Sequence, residues 1–230
     1  MATGKTPKIM RKWLKKILSA PIKALSVGMI RRIEAWREAD LPRFATQPQN
    51  LKIALPRTIV APERIHIGDD VWLGPGSLLL AVTVHPGQPL LPPGMAPSFR
   101  QDFNPKISIG NRVTSTGSLT LGAHAEITIE DDVMFAANVL ISDALHGYDD
   151  PNTAYKYQPM TRIEPIVIKR GCWIGQNVVV MPGVTIGEFS IIGANSVVTE
   201  SIPARSIAAG APAQVMRQWD EASKQWSSVT

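Results

Sequence analysis

An aliphatic residue returns at every sixth position from Ile168 to Val198: Ile168, Ile174, Val180, Ile186, Ile192 and Val198. Small or turn-forming residues follow it, as in IGQNVV, VMPGVT, IGEFSI and IGANSV. A period of six is neither the 3.6 of a helix nor the two of a half-buried strand. One hexad supplies one short strand and a turn, so three hexads make one coil of a three-sided parallel prism. The aliphatic residue then points inward on every face, and stacked coils bury one continuous core.

The register predicts coils beginning near Ile67 (IGDDVW, then LGPGSL, with Leu79 continuing) and a prism over residues 60–213. Two segments leave it. Residues 85–105 are rich in proline, which cannot donate to a central ladder, and read as a loop thrown out from one corner. The hexads resume at Ile109, pass Leu121, slip by two residues and run Ile129, Phe135, Ile141 before a second excursion over residues 143–163. Long loops inside a compact repeat are often functional. Residues 214–230 are expected to cap the prism with a short C-terminal helix.

The charge is unevenly placed. The net of +5 comes from residues 1–43, whose 11 Lys/Arg against 3 Asp/Glu give +8, while the remainder carries −3. Within residues 1–45, the stretch 8–40 reads as a basic amphipathic helical segment: Ile9, Trp13, Leu14, Ile17 and Leu18 alternate with Lys8, Arg11, Lys12, Lys15 and Lys16, and Pro21 interrupts. Such a segment can lie on an anionic membrane surface or pack against the prism or a subunit contact. No recognition motif accompanies it, so no nucleic-acid partner is expected. No apolar run approaches the roughly 20 residues of a membrane span, and no secretory h-region follows the basic start. The single cysteine, Cys172, rules out an internal disulfide and reads as inert packing in a reducing cytoplasm.

Three stretches carry a resemblance: NVLISDALHGY at 138–148, CWIGQNVVVMPGVTIGEFSIIGANSVVTESIP at 172–203 and SIAAGAPAQVMR at 206–217. Over roughly residues 60–217 the chain resembles the hexapeptide-repeat acyltransferases, which include the galactoside and maltose O-acetyltransferases. The spacer with YKYQP at 155–159 looks most like the polysaccharide-modifying branch. The resemblance implies an all-β, left-handed parallel β-helix, a homotrimer, acetyl-CoA as acyl donor bound in clefts between adjacent prisms, no metal, and a sugar or glycan acceptor.

His146 matches the position of that family's catalytic histidine. A sugar hydroxyl is a poor nucleophile, and a base neutral near pH 7 suits its activation; histidine's ordinary pKa of about 6.5 fits. Many relatives carry a second histidine two positions earlier, where this chain has Ala144, leaving Asp143 as the nearby group to orient His146, or else as a turn aspartate. Trp173 matches a tryptophan near the thioester, where its N–H would donate to sulfur or a developing oxyanion, or stack at a corner. For the acceptor, the candidates are Tyr148, Tyr155 and Tyr157, all in the second excursion, with Asp149, Asp150 and Gln158, and behind them Asn138 and His124.

For acetyl-CoA, Gly175, Gln176, Ala194, Asn195 and Thr199 match positions lining the family's pantetheine cleft. Glu200 and Gln214 stand where basic residues are frequent, which leaves Arg205 and Arg217 for the phosphates. The expected function is acetyl transfer to a hydroxyl of a surface polysaccharide or its lipid-linked precursor, with N-acetylation of an amino sugar as a close variant. A prism-type zinc carbonic anhydrase would need three clustered histidines, and His66, His85, His124 and His146 are at least 19 positions apart. A non-catalytic scaffold is the remaining alternative.

Overall fold

The computed structural model describes residues 28–30, 32–33, 40–86 and 99–229. The chain divides into two units, Met1–Leu41 and Pro42–Thr230. In the first, residues 28–30 and 32–33 are helical; the rest of the basic segment over 8–40, apart from residue 40, lies outside the described residues, as do 87–98 of the first excursion. Among the described residues no helix is long and apolar enough to cross a membrane.

The second unit is a parallel β-helix with three faces. Down the first face run Lys52–Ile53, Trp72–Leu73, Thr114–Ser115, Met134–Phe135, Trp173–Ile174, Ile191–Ile192 and Ser206–Gly210. The second face stacks Arg57–Val60, Ser77–Ala81, Thr120–Ala123, Leu140–Ser142, Val179–Val180 and Val197–Val198. The third stacks Ile65–Ile67, Lys106–Ile109, Glu126–Ile129, Ile166–Ile168 and Thr185–Ile186, with Ile202 bridging to Ile186. The first coil therefore starts at Lys52, ahead of the boundary at residue 60 expected from the hexads, because Ile53 already pairs in register with Leu73.

Most corners that lead into the first and second faces are made the same way. Asp70, Arg112, Asp132, Gly171 and Phe189 have positive φ and precede by two residues the first-face strands that start at 72, 114, 134, 173 and 191. Ser118, Asn138, Asn177 and Asn195 do the same ahead of the second-face strands at 120, 140, 179 and 197. A left-handed residue turns the chain in one step, and Asn, Asp and Gly tolerate that conformation best. The six inward residues that define the hexad are all buried, and like stacks on like: Ile168 on Ile186, Ile174 on Ile192, Val180 on Val198.

The slip of two after Leu121 has a simple geometry. Paired residues in the later coils are 18 apart (Ile174↔Ile192), whereas Leu121↔Ile141 and Ile109↔Ile129 are 20 apart. The extra pair lengthens the strands around one corner, so that Leu121 and Ala123 both point inward before it and Ile127 and Ile129 after it.

The C-terminus differs from expectation. Residues 214–229 form no helix: Ala213–Asp220 pairs antiparallel with Ser206–Gly210, and Gln225–Ser228 pairs with Ala213–Asp220. The last first-face strand leaves an open edge whose unpaired backbone groups the hairpin satisfies, overriding helix propensity. Trp219 faces Trp226 across the hairpin with ring centroids 5.5 Å apart.

The inward stack sets the stability. Ile141 is fully buried between Leu121 and Val180. Ile141→Ala is expected to cost about 2–5 kcal/mol in denaturant unfolding, against about 0.5 kcal/mol or less for the outward Thr128→Ala.

Candidate active site

The two excursions rise beside the second face and enclose a cleft of about 620 Å³. Val60, Leu80, Val82, Val84, Leu140 and Met160 give it apolar walls; Thr83, Thr120, Ser142 and three histidines, His85, His124 and His146, supply the polar groups. Histidines far apart in sequence are thus neighbours in space. His124 sits at a prism corner, whereas His85 and His146 arrive on the excursions.

His146 lies in the short strand Leu145–His146, paired antiparallel with Met160–Thr161. Its side chain is exposed and its ring meets the edge of His85, with centroids 5.2 Å apart. His85 was not singled out from sequence. It is buried at 3% exposure, and its Nε2 lies 3.1 Å from the Gln158 carbonyl oxygen. Burial pushes its pKa below the ordinary 6.5, the bond to the Gln158 carbonyl opposes this, and nearby His146 and His124 add to the lowering.

Asp143 does not orient His146. Its fully buried carboxylate accepts the backbone N–H of His124 at 2.7 Å and of Ala125 at 2.8 Å, capping the coil beside it. The nearest imidazole is that of His124, whose Nδ1 lies 3.5 Å from Oδ1 and is a buried atom without a hydrogen-bond partner. The carboxylate is therefore committed to the neighbouring coil, and its ring partner is His124.

Several acceptor candidates serve the loop instead. Gln158 is buried, donates through Nε2 to the carbonyls of Asp150 and Thr153 at 2.8 Å, and accepts from the Asp150 N–H at 3.1 Å. Asp150 closes a turn onto Asn152 and Thr153. Tyr148, Asp149 and Tyr155 are exposed and Tyr157 half-buried under Lys156; none of them lines the cleft. Asn138 lies at the corner between the first two faces, where it donates to Asn177, which donates in turn to Asn195. Of the acceptor candidates only His124 lines the cleft.

The positions expected to meet acetyl-CoA lie along that same corner and past it. Gly175 is buried because a Cβ there would meet the Ala194 nitrogen at 2.7 Å; Gln176, Ala194 and Asn195 are exposed and Thr199 is half-buried. Trp173 is 48% exposed on the first face between Met134 and Ile191, away from the cleft of its own chain. Arg205 pairs with Glu221, while Arg217, exposed on the hairpin, has no ion-pair partner among the described residues. An unpaired guanidinium is a good donor to phosphate oxygens. Cys172 is buried, its thiol donating to the Gly187 carbonyl at 3.1 Å, and burial pushes its pKa up to about 11. Among the described residues no group of three or more His, Cys, Asp or Glu is placed to hold a metal ion.

Residues 165–200 match the bacterial transferase hexapeptide family (six repeats). That segment carries the hexapeptide repeat of the family. The chain is 37% identical over 124 residues to the galactoside O-acetyltransferase of Escherichia coli K12, covering 54% of this chain and 60% of that protein. It is 37% identical over 109 residues to the putative lipopolysaccharide biosynthesis O-acetyl transferase WbbJ of the same organism, covering 45% of this chain and 56% of that protein. Thus the chain spans somewhat under two thirds of the relatives it matches. Its fold is that of AntD, an N-acyltransferase from Bacillus cereus solved with dTDP and coenzyme A, at a TM-score of 0.60 and 19% identity, covering 78% of this chain and 86% of that one.

The cap made by Asp143 gives a direct expectation. Asp143→Ala strands two backbone N–H groups and should cost roughly 2–5 kcal/mol in denaturant unfolding, with at most part recovered in Asp143→Asn, whose one amide oxygen can accept from only one of them. Wild-type stability in Asp143→Ala would contradict the cap.

Proposed function

We propose that this protein transfers an acetyl group from acetyl-CoA to a hydroxyl of a sugar in a surface polysaccharide or its lipid-linked precursor. The observation that carries the reading is the cleft: His146, at the family position of the base, opens into a cavity of about 620 Å³ with His85 and His124 in its walls. The two Escherichia coli relatives, an O-acetyltransferase of galactosides and one of lipopolysaccharide biosynthesis, support the acceptor class.

Acetyl-CoA supplies an activated acetyl thioester. His146 takes the proton of the attacking hydroxyl at a ring nitrogen as the new C–O bond forms, and returns it to the thiolate of coenzyme A as the C–S bond breaks. The cleft holds the acceptor, its apolar walls against the sugar's C–H face and Thr83, Thr120, Ser142 and His124 toward its hydroxyls. Arg217 meets the donor's phosphates, with Gln176, Ala194, Asn195 and Thr199 along the pantetheine. In this reading Trp173 and the donor edge of one chain serve the cleft of a neighbour in a homotrimer, which accounts for their separation within one chain. The enzyme works in the cytoplasm, and residues 8–40 bring it to the inner membrane face where a lipid-linked acceptor sits.

The test is acetyl transfer from acetyl-CoA to a panel of galactosides, other sugars and amino sugars, followed by mass spectrometry. Wild-type protein should acetylate a hydroxyl sugar, and His146→Ala should lower kcat by about 10²–10⁴-fold. An undiminished rate in the variant would remove His146 as base, and transfer confined to amino sugars would make the enzyme an N-acetyltransferase.

A further inference from the structure

The first excursion brings more than a wall to the cleft. Its described part forms a hairpin in which Val84–His85 pairs with Gln101–Asp102, so His85 faces Gln101. The Gln101 side chain then takes the place of a strand neighbour on Met160: Nε2 donates to the Met160 carbonyl at 3.1 Å and Oε1 accepts its N–H at 2.6 Å. Met160 is paired with His146. The His146 ring meets the His85 ring at 5.2 Å. His85, Gln101, Met160 and His146 thus close a circuit through two excursions that are separate in sequence.

His146 needs such support. It is exposed, its side chain has no hydrogen-bond partner among the described residues, and Asp143 is committed elsewhere. A free imidazole on a two-residue strand would sample rotamers, whereas proton transfer requires one orientation. His85 is the ring it rests on, and His85 is itself fixed. A carbonyl only accepts, so the bond to Gln158 sets the proton on Nε2, and the Phe99 ring flanks the other contact at 5.7 Å.

We propose that His85 is a positioning residue for His146, and that the Gln101 clamp on Met160 holds the pair in place. The role of His146 as base rests on the function proposed above; the positioning itself does not. It assigns the proline-rich excursion a task, that of replacing the carboxylate partner that His146 lacks.

Two measurements on the full chain test this, with thermal unfolding to confirm that each variant folds. In the first, NMR follows the ring resonances of His146 across pH in wild type, His85→Ala, His85→Phe and Gln101→Ala. Loss of the ring in His85→Ala should remove the ring-current displacement of the His146 protons, His85→Phe should preserve the displacement, and Gln101→Ala should broaden the signals. In the second, steady-state acetyl transfer should show kcat lowered on the order of 10- to 100-fold in His85→Ala and Gln101→Ala, with KM for acetyl-CoA unchanged and most of the rate restored in His85→Phe. His146 resonances indifferent to both substitutions would overturn the proposal, as would a wild-type kcat in folded His85→Ala. A wild-type protein that transfers no acetyl group would sink the proposed function alone, since the NMR arm still decides the positioning.

Discussion

The first two faces of this protein depend on a left-handed residue placed two positions ahead of most of their strands. That residue turns the chain through a corner without a loop, so the next aliphatic side chain arrives in the interior directly above its counterpart one coil earlier. The stack contributes roughly 1.5–3 kcal/mol for each fully buried Val, Leu or Ile relative to exposure, and it leaves the outward positions free to vary. Asn138, Asn177 and Asn195 show how corner and stack reinforce each other: each tolerates positive φ, and their side-chain amides bond to one another along the prism edge.

A scaffold this regular concentrates function where the register is interrupted. The coils can hold only two- to five-residue strands, and their outward residues form flat surfaces. The two excursions break that flatness. They bracket the second face, and the contacts between them, Gln101 to Met160 and His85 to Gln158, join them into one wall of the cleft. His124 and Asp143 meet at the corner from which the second excursion departs, and of the two it is His124 that lines the cavity.

Much of this was legible in the chain. The hexads from Ile168 to Val198 gave the prism its period and inward residues, and the proline-rich and tyrosine-bearing segments marked both departures. His146 and His124 were candidates through the family resemblance, and both line the cleft. His85 was not a candidate, because it enters the cleft only through pairing with Gln101 and a contact with Gln158, neither of which leaves a sequence period. Gln158 and Asp150 misled for the opposite reason: polar residues in a loop look ready for ligand, yet here they satisfy the loop's own backbone. Residues 214–230 misled because the pull of an open sheet edge is a tertiary effect, and Trp219 and Trp226 take part in it only once that edge exists.

The account turns on whether the edge around Gln176, Ala194, Asn195 and Arg217 receives acetyl-CoA despite Glu200 and Gln214. Calorimetric titration of acetyl-CoA into wild-type protein beside Arg217→Ala measures this without any assumption about the acceptor. Micromolar binding at one site per chain, weakened about tenfold by the substitution, is the result predicted for an arginine–phosphate contact. Absence of binding up to millimolar acetyl-CoA would contradict it and leave the prism as a scaffold or the carrier of a different donor.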